Sequence, residues 1–328
     1  MIRRLLFWGL FTPCAALVLV VAAGLVTALL RERAVRETSR PASGDFVAAY
    51  DTRIFVQRTG DPNAPAVVFV AGTGGWSGLW TDSMAHAVDL GYQAIAVDLP
   101  PFGYSYPVPS GNYSKREQGR RLLAALDAMG LNQITIVAHS IGAAPVMEAV
   151  FSAPARFHAL VLIDPALGLD GPQTDGADTT LQAALRHSWI AHPVCAILTN
   201  PLLTAPLLRR VISEKDRATP DWVRIYQRPL DLRGASAAVA QWLPEVLAAR
   251  GHERSDELEA YNHLRIPVTL IWGSTDTITP LSQGLHLQRL IPDAKLVTIP
   301  RAGHGPQFEE PQLFDAALRG ALGAAVSR

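Results

Sequence analysis

Three residue types that cooperate in nucleophilic acyl transfer stand at the ends of three apolar runs of this chain. Ser140 lies in Ala138-His139-Ser140-Ile141-Gly142, directly after the run Gln133–Ala138. Small residues two positions either side of a serine let the backbone turn sharply, so that its Oγ projects above the preceding strand. Asp276 follows Pro267–Trp272 within Gly-Ser-Thr-Asp, and His304 follows Lys295–Ile299 within Pro-Arg-Ala-Gly-His. A histidine that removes the serine proton, held in place by an aspartate, makes the hydroxyl nucleophilic at neutral pH. Each residue alone has a plain alternative as helix N-cap, turn residue or surface histidine. Together they point to Ser140 as nucleophile, His304 as base and Asp276 as the group orienting the imidazole. Asp164, at the end of ALVLID, competes for the third role, although its place before Pro165 suits a structural residue. His139 adjoins Ser140, but consecutive turn residues point apart, so it reads as lining a substrate pocket or packing locally.

These residues need elements to position them. Ala66–Ala71, Gln93–Asp98, Gln133–Ala138, Ala159–Ile163, Pro267–Trp272 and Lys295–Ile299 are near-continuous apolar runs. Short continuous runs, rather than alternating ones, suit parallel strands buried on both faces. Phe46–Tyr50 and Arg53–Arg58 add two short strands joined by a turn. Between the runs lie helical patterns. The clearest opens on a capping box at Ser114 with Glu117 and stops at Gly130. The fold class is therefore α/β, a mostly parallel doubly wound sheet, in which ligands bind outside the carboxyl ends of the strands. One such end carries Gly72-Thr73-Gly74-Gly75-Trp76, where glycines let backbone N–H groups approach a ligand. In a serine hydrolase that loop donates one hydrogen bond to the developing oxyanion, and the residue after the nucleophile donates the other. Thr73 and Ile141 are the expected donors, Gly74 the alternative to Thr73, and Gly72 and Gly74 approach the substrate. A dinucleotide loop is the rival reading, with Asp98 as its acidic residue. The glycines at 72, 74, 75 and 78 miss G-x-G-x-x-G by one residue, and no Gly-Lys-Ser/Thr supports a Walker motif.

With AGTGG, VDLPPFGYS, AHSIG, GSTD and AGHGPQFEEP in place, residues 45–165 and about 260–325 resemble the α/β-hydrolase family, esterases, lipases and carbon–carbon-bond hydrolases above all. The order Ser140, Asp276, His304 is that family's. Ala71 and Pro101 depart from its usual His and Gly, which bears on the oxyanion loop and the pocket wall but not on the triad. A serine rather than an aspartate at the nucleophile position argues against dehalogenase or epoxide-hydrolase chemistry. The resemblance implies a helical cap at about 168–255 within a hydrolase domain spanning 45–325. It also implies cleavage of a carboxylic ester or related acyl bond. Carbon–carbon-bond hydrolysis, acyl transfer to a non-water acceptor, and a non-catalytic binding protein of the same fold remain alternatives.

Composition adds the setting. Lys+Arg and Asp+Glu number 29 each, which argues against a nucleic-acid partner. Two cysteines, Cys14 and Cys195, with no clustered Cys/His spacing, give neither a disulfide scaffold nor a zinc signature, and no metal or organic cofactor is implied. The mean hydropathy of +0.16 is high for a soluble chain. Part of the excess lies in Leu5–Leu30, 26 residues without a charge, with Arg3 and Arg4 before and Arg31, Arg33, Arg36 and Arg40 after. As a helix this run would reach roughly 39 Å, so residues 1–30 read as a single-pass membrane anchor, with a cleaved signal peptide as the alternative. The arginine count places the rest on the cytoplasmic side, but the terminal amine, Glu32 and Glu37 blunt the difference and leave the side open. Residues 31–44 read as a linker. A second apolar stretch, Trp189–Ile212, is broken by Pro193, Pro201 and Pro206. It suits cap helices packed on the core, or a pocket lining or membrane-facing lid for an apolar, lipid-like ester.

Overall fold

The computed structural model describes residues 18–169, 180–247 and 253–326. Its centre is an eight-stranded sheet: β1 (Gly44–Ala49), β2 (Thr52–Thr59), β3 (Ala66–Val70), β4 (Gln93–Val97), β5 (Ile134–His139), β6 (Phe157–Ile163), β7 (Val268–Gly273) and β8 (Lys295–Ile299). The spatial order is β1-β2-β4-β3-β5-β6-β7-β8. β1 and β2 form an antiparallel hairpin, β2 pairs antiparallel with β4, and every pairing from β4 to β8 is parallel. The helices are α1 (Val18–Arg31), α2 (Arg36–Ser39), α3 (Thr81–Asp89), α4 (Lys115–Ala128), α5 (Ala143–Ser152), α6 (Thr180–Leu185) and α7 (Ser188–Leu198). They continue with α8 (Pro201–Val211), α9 (Pro220–Gln227), α10 (Ala235–Val246), α11 (Leu258–Asn262), α12 (Leu281–Leu290), α13 (Pro306–Glu309) and α14 (Pro311–Val326).

The continuous apolar runs have a direct cause. Ala66, Val68 and Val70 of β3 join a core with Leu122 and Leu126 of α4 and Val146 and Val150 of α5. Val67 and Phe69 point the other way, into a core with Met84 of α3 and Leu318 and Leu322 of α14. Because successive strand residues alternate faces, burial on both sides demands apolar residues at every position. Each fully buried aliphatic side chain contributes roughly 1.5–3 kcal/mol. The expected strand bounds shift by up to two residues. Gln133 takes φ +53°, so β5 starts at Ile134 and runs on through His139.

At α4 half of the expected cap forms. Ser114 Oγ accepts Glu117 N–H at 3.4 Å, but Ser114 N–H donates to Asn112 Oδ1 and the Glu117 carboxylate pairs with Arg120. The other end closes as a Schellman motif, with Gly130 at φ +68° and Leu131 N–H donating to Leu126 O at 3.0 Å.

One expectation about the N-terminal region needs correction. Among the described residues no single helix is long and apolar enough to cross a membrane; α1 is a shorter apolar helix. The transmembrane helix expected over 1–30 is thus not found there, and residues 1–17 lie outside the described residues. The linker 31–44 is held against the body at Arg31, Ala34 and Arg36. Arg31 donates to Thr199 O and Leu230 O, and Ala34 bridges to Leu232. The buried Arg36 guanidinium donates to Ser105 O at 3.1 Å and Arg233 O at 2.9 Å. An arginine that finds backbone carbonyls can be buried.

From Thr180 to Asn262 the described elements between β6 and β7 are helical. Residues 170–179 and 248–252, near both ends of the cap expected at 168–255, lie outside the described residues.

Candidate active site

Strands β3, β5, β6, β7 and β8 run parallel, so the residues that follow them share one rim of the sheet. Ser140 follows β5 and opens a short 3₁₀ turn that leads into α5. Its φ of +53° is left-handed, a conformation that costs a non-glycine residue of order 1–3 kcal/mol and recurs at functional sites. The turn is tight because its neighbours are small. A Cβ on Gly72 would stand 2.7 Å from Ser140 Cβ, and a Cβ on Gly142 would collide with the Ala71 carbonyl oxygen.

Ser140 Oγ lies 2.7 Å from His304 Nε2, and His304 Nδ1 lies 2.7 Å from Asp276 Oδ2. All three side chains are buried. Asp276 is held in turn: Oδ1 accepts Ile278 N–H at 2.7 Å and Thr279 N–H at 3.0 Å, and Oδ2 accepts Thr279 Oγ1–H at 2.7 Å. Burial alone would raise the Asp276 carboxyl. The hydrogen bond and charge of His304, with the bonds from Thr279 and Ile278, outweigh it and hold the group below the usual carboxylate range. An ionised Asp276 accepts Nδ1–H and fixes the tautomer in which Nε2 is free to accept the Ser140 proton. The arrangement can deliver a serine alkoxide equivalent to an electrophile above the rim.

Asp164 follows β6 on the same rim, at φ +41°. Its Oδ1 accepts Gly273 N–H at 2.8 Å. Burial first, and then the Asp276 charge, push its carboxyl well above the ordinary value. Asp164 therefore holds its proton more tightly than Asp276 does, and His304 turns its Nδ1 to Asp276.

His139 is buried, and its Nε2 lies 2.8 Å from the His304 carbonyl oxygen. Burial, and then the nearby His304, push its imidazole down to about 3, so the ring is neutral and Nε2–H donates. It braces the backbone of His304 rather than lining the neighbouring cavity. His139, Asp164 and His304 lie within 4.8 Å of one another by their ligand atoms, a spacing that would admit a cation. The ring nitrogens Nε2 of His139 and both of His304 already have partners, however.

Gly72 and Gly74 lie in the loop after β3, closed by Gly75 N–H donating to Gly72 O at 3.0 Å, with Gly74 at φ +68°. The contact of Gly72 with Ser140 brings this loop to the nucleophile. The Thr73 side chain is exposed, and Ile141 is half-buried on the wall of a cavity of about 370 Å³. Ala71, Leu99, Phe102, Leu167, Trp242 and Ile278 contribute apolar wall to that cavity, and Thr279 joins it to the Asp276 side of the rim. Phe102 and Trp242 meet edge to face at 4.9 Å. Lys115, the one cation among the described lining residues, is paired with Asp256.

Two buried carboxylates are structural keys that sequence reasoning left without this role. Glu309 Oε1 accepts Gly303 N–H at 2.9 Å and Gly305 N–H at 3.1 Å, on either side of His304. Its Oε2 accepts Ser213 N–H at 2.7 Å and Glu214 N–H at 3.0 Å, just past α8. One side chain thus joins the histidine loop to the helical insertion. Asp98, which the nucleotide reading needed for a ribose, instead accepts Ser77 N–H at 2.5 Å and Tyr104 N–H at 2.8 Å. Its burial raises the carboxyl to about 7. Neither role had a side-chain signal in the sequence, because the partners are backbone N–H groups.

Known proteins resemble this arrangement over most of the chain. A sequence profile for the α/β-hydrolase fold matches residues 65–311. A 2-hydroxy-6-oxononadienedioate/2-hydroxy-6-oxononatrienedioate hydrolase of Cupriavidus pinatubonensis is 26% identical over 275 residues, covering 83% of this chain and 91% of its own. A protein provisionally named as a carbamate hydrolase in Klebsiella pneumoniae is 27% identical over 270 residues, 80% of this chain and 93% of its own. Among solved structures, a thermophilic esterase of Thermogutta terrifontis superposes with a TM-score of 0.67 at 21% identity, over 87% of this chain and 99% of that one. That last likeness speaks for the fold. With a profile match spanning the sheet from β3 to the histidine loop, the chain belongs to the α/β-hydrolase family and is a hydrolase of that fold.

Proposed function

We propose that this protein is a serine hydrolase that cleaves carboxylic esters with apolar acyl groups through an acyl-enzyme on Ser140. The observation that carries the reading is the bonded chain Ser140 Oγ, His304 Nε2, His304 Nδ1 and Asp276 Oδ2 beside a largely apolar cavity. His304 Nε2 takes the Ser140 proton as Oγ adds to the ester carbonyl. The N–H groups of Thr73 and Ile141 hold the oxyanion, a pair whose loss by one member costs about 10²–10³ in rate. The tetrahedral adduct collapses, its carbon–oxygen bond to the alcohol breaks, and the leaving alkoxide takes the proton from His304. Water then gives a proton to His304, its oxygen adds to the acyl carbon, and the carboxylic acid departs as Ser140 regains its proton.

Carbon–carbon-bond hydrolysis would use the same nucleophile, and the Cupriavidus relative is named for a dioate substrate. A dicarboxylate needs cationic partners in the pocket, and Lys115 is already engaged by Asp256. That favours a neutral, apolar ester. The chain-length dependence of kcat/KM on p-nitrophenyl esters tests this: values should rise from acetate to medium-length acyl groups. A flat series, or faster cleavage of a 2-hydroxy-6-oxodienoate than of any ester, would overturn the reading. We further assign residues 1–30 to tethering the enzyme at a membrane, on the strength of the 26 uncharged residues of Leu5–Leu30 and their arginine flanks.

A further inference from the structure

Exposed apolar side chains are unevenly distributed. Of the nineteen large hydrophobic residues exposed among the described residues, six lie on α1 and six on α6, α7 and α8. The two groups meet. Gly24 of α1 lies so close to α7 that a Cβ would stand 2.7 Å from Ile197 Cγ1, and Arg31 at the end of α1 donates to Thr199 O at the end of α7. On α1 only Gly24 and Ala28, one turn apart, are buried. The remaining faces carry Val18, Leu19 and Leu29 into solvent rather than a polar stripe. A helix that is apolar all round is made for an apolar surrounding, and docking on α7 covers only one of its faces.

The same holds for α7 and α8. Residues 188–208 contain no Asp, Glu, Lys or Arg. Trp189 is 74% exposed and Leu202 83%. The two helices pass together as apolar enough for a membrane but meet at 80°. Each has 11 residues, about 16 Å of helix, against a hydrocarbon core about 30 Å thick. Such a bent pair fits within one leaflet. Arg33 after α1 and Arg209 and Arg210 closing α8 are exposed at its margin, where lipid phosphates would lie. Ahead of α1 the sequence continues with thirteen uncharged residues, Leu5–Leu17.

We propose that α1, α7 and α8 form one membrane-docking face, seated in a single leaflet of anionic bilayer, with Trp189 at the headgroup level. This face deepens the esterase reading by naming the source of substrate. α8 ends at the Val211 carbonyl, which accepts His304 N–H at 3.3 Å, and at Ser213, held by Glu309. The C-terminal end of α8 therefore meets the His304 loop, and on this proposal an apolar ester reaches the cavity from the leaflet.

The test uses the full chain with Cys14→Ser, so that an added cysteine carries the only reactive thiol; Cys195 is buried, its thiol pushed up to about 12. An environment-sensitive NBD label on Leu202→Cys, mixed with phosphatidylcholine/phosphatidylglycerol vesicles, should shift to the blue and be quenched by doxyl lipids. The same label on Asp61→Cys, before β3 and away from the rim, should do neither. A Leu202 label as unquenched as the Asp61 label on vesicle-bound protein would overturn the proposal, leaving the N-terminal run to act alone. A blue shift before lipid is added, with a doubled mass in solution, would overturn it in favour of a second copy. The variant Trp189→Glu/Leu202→Glu should lose about tenfold in hydrolysis of a vesicle-borne ester while keeping that of a soluble butyrate. Equal loss on both would overturn delivery from the leaflet. Quenching at Leu202 without hydrolysis of either ester would refute the esterase reading and leave the docking face standing.

Discussion

The rim of the sheet and the outer face of the helical insertion are built on opposite terms. At the rim, three buried acidic side chains are held by several hydrogen bonds each: Asp276 by Ile278, Thr279 and His304, Glu309 by four backbone N–H groups, Asp98 by two. On the outer face, large apolar side chains such as Trp189 and Leu202 stand exposed. Where chemistry needs a proton moved between fixed atoms, satisfied buried polar groups supply the rigidity, because any misplacement strands a partner. Where a surface only has to be apolar, composition suffices and the geometry is loose.

Substitutions should separate the two regions. The largest effect belongs to the base and its orienting acid. Asp276→Asn should lower kcat about 10⁴-fold with little change in KM, since an amide leaves the imidazole in the wrong tautomer; steady-state kinetics on a soluble ester checks it. Next comes Glu309→Gln. An amide keeps one oxygen and turns an NH₂ toward two N–H donors, so urea unfolding should show a loss of about 2–4 kcal/mol and kcat should fall with it. Full stability with unchanged kcat would break the link between the histidine loop and the insertion.

Asp164→Asn should behave differently although Asp164 is as buried as its neighbour. An amide oxygen can accept Gly273 N–H as the carboxyl does, and His304 Nδ1 is held by Asp276, so activity at neutral pH should stay within a few-fold of wild type. Stability carries the sign. The folded Asp164 keeps a proton that the unfolded chain surrenders above about pH 3.9, so its contribution is full below that pH and declines as pH rises toward the raised value. Wild type should therefore lose stability relative to Asp164→Asn as pH is raised, in chemical unfolding followed across pH 4–9. The smallest effect is expected on the outer face, where Leu202→Glu should change stability by no more than about 0.5 kcal/mol in the absence of lipid.

The same contrast governs what could be read from the chain itself. The sheet was legible because strands buried on both faces must be apolar at every position, and Ser140, Asp276 and His304 were legible because each follows such a run. Chain order left Asp164 and Asp276 both possible, since each lies between Ser140 and His304; only the proline after Asp164 favoured Asp276, and it is Asp276 that lies 2.7 Å from His304 Nδ1. Glu309 was not legible as a brace, since its partners at Ser213 and Glu214 lie nearly a hundred residues away and are backbone groups with no side-chain signature. The burial of Arg36 was not legible for a related reason. A charge in a polar, proline-containing stretch looks solvated, yet the Ser105 and Arg233 carbonyls that bury it are brought to it only by the fold. The half-formed cap at Ser114 shows the limit of local motifs, because Asn112 and Arg120 took the two groups that would have completed it.

The central claim is that Ser140 carries the acyl group, and intact-mass spectrometry after treatment with a fluorophosphonate tests it most directly. Wild type should gain one phosphonyl group, located by fragmentation on Ser140, while Ser140→Ala gains none and His304→Ala reacts far more slowly. Equal labelling of Ser140→Ala, or an adduct on another residue in wild type, would contradict the account.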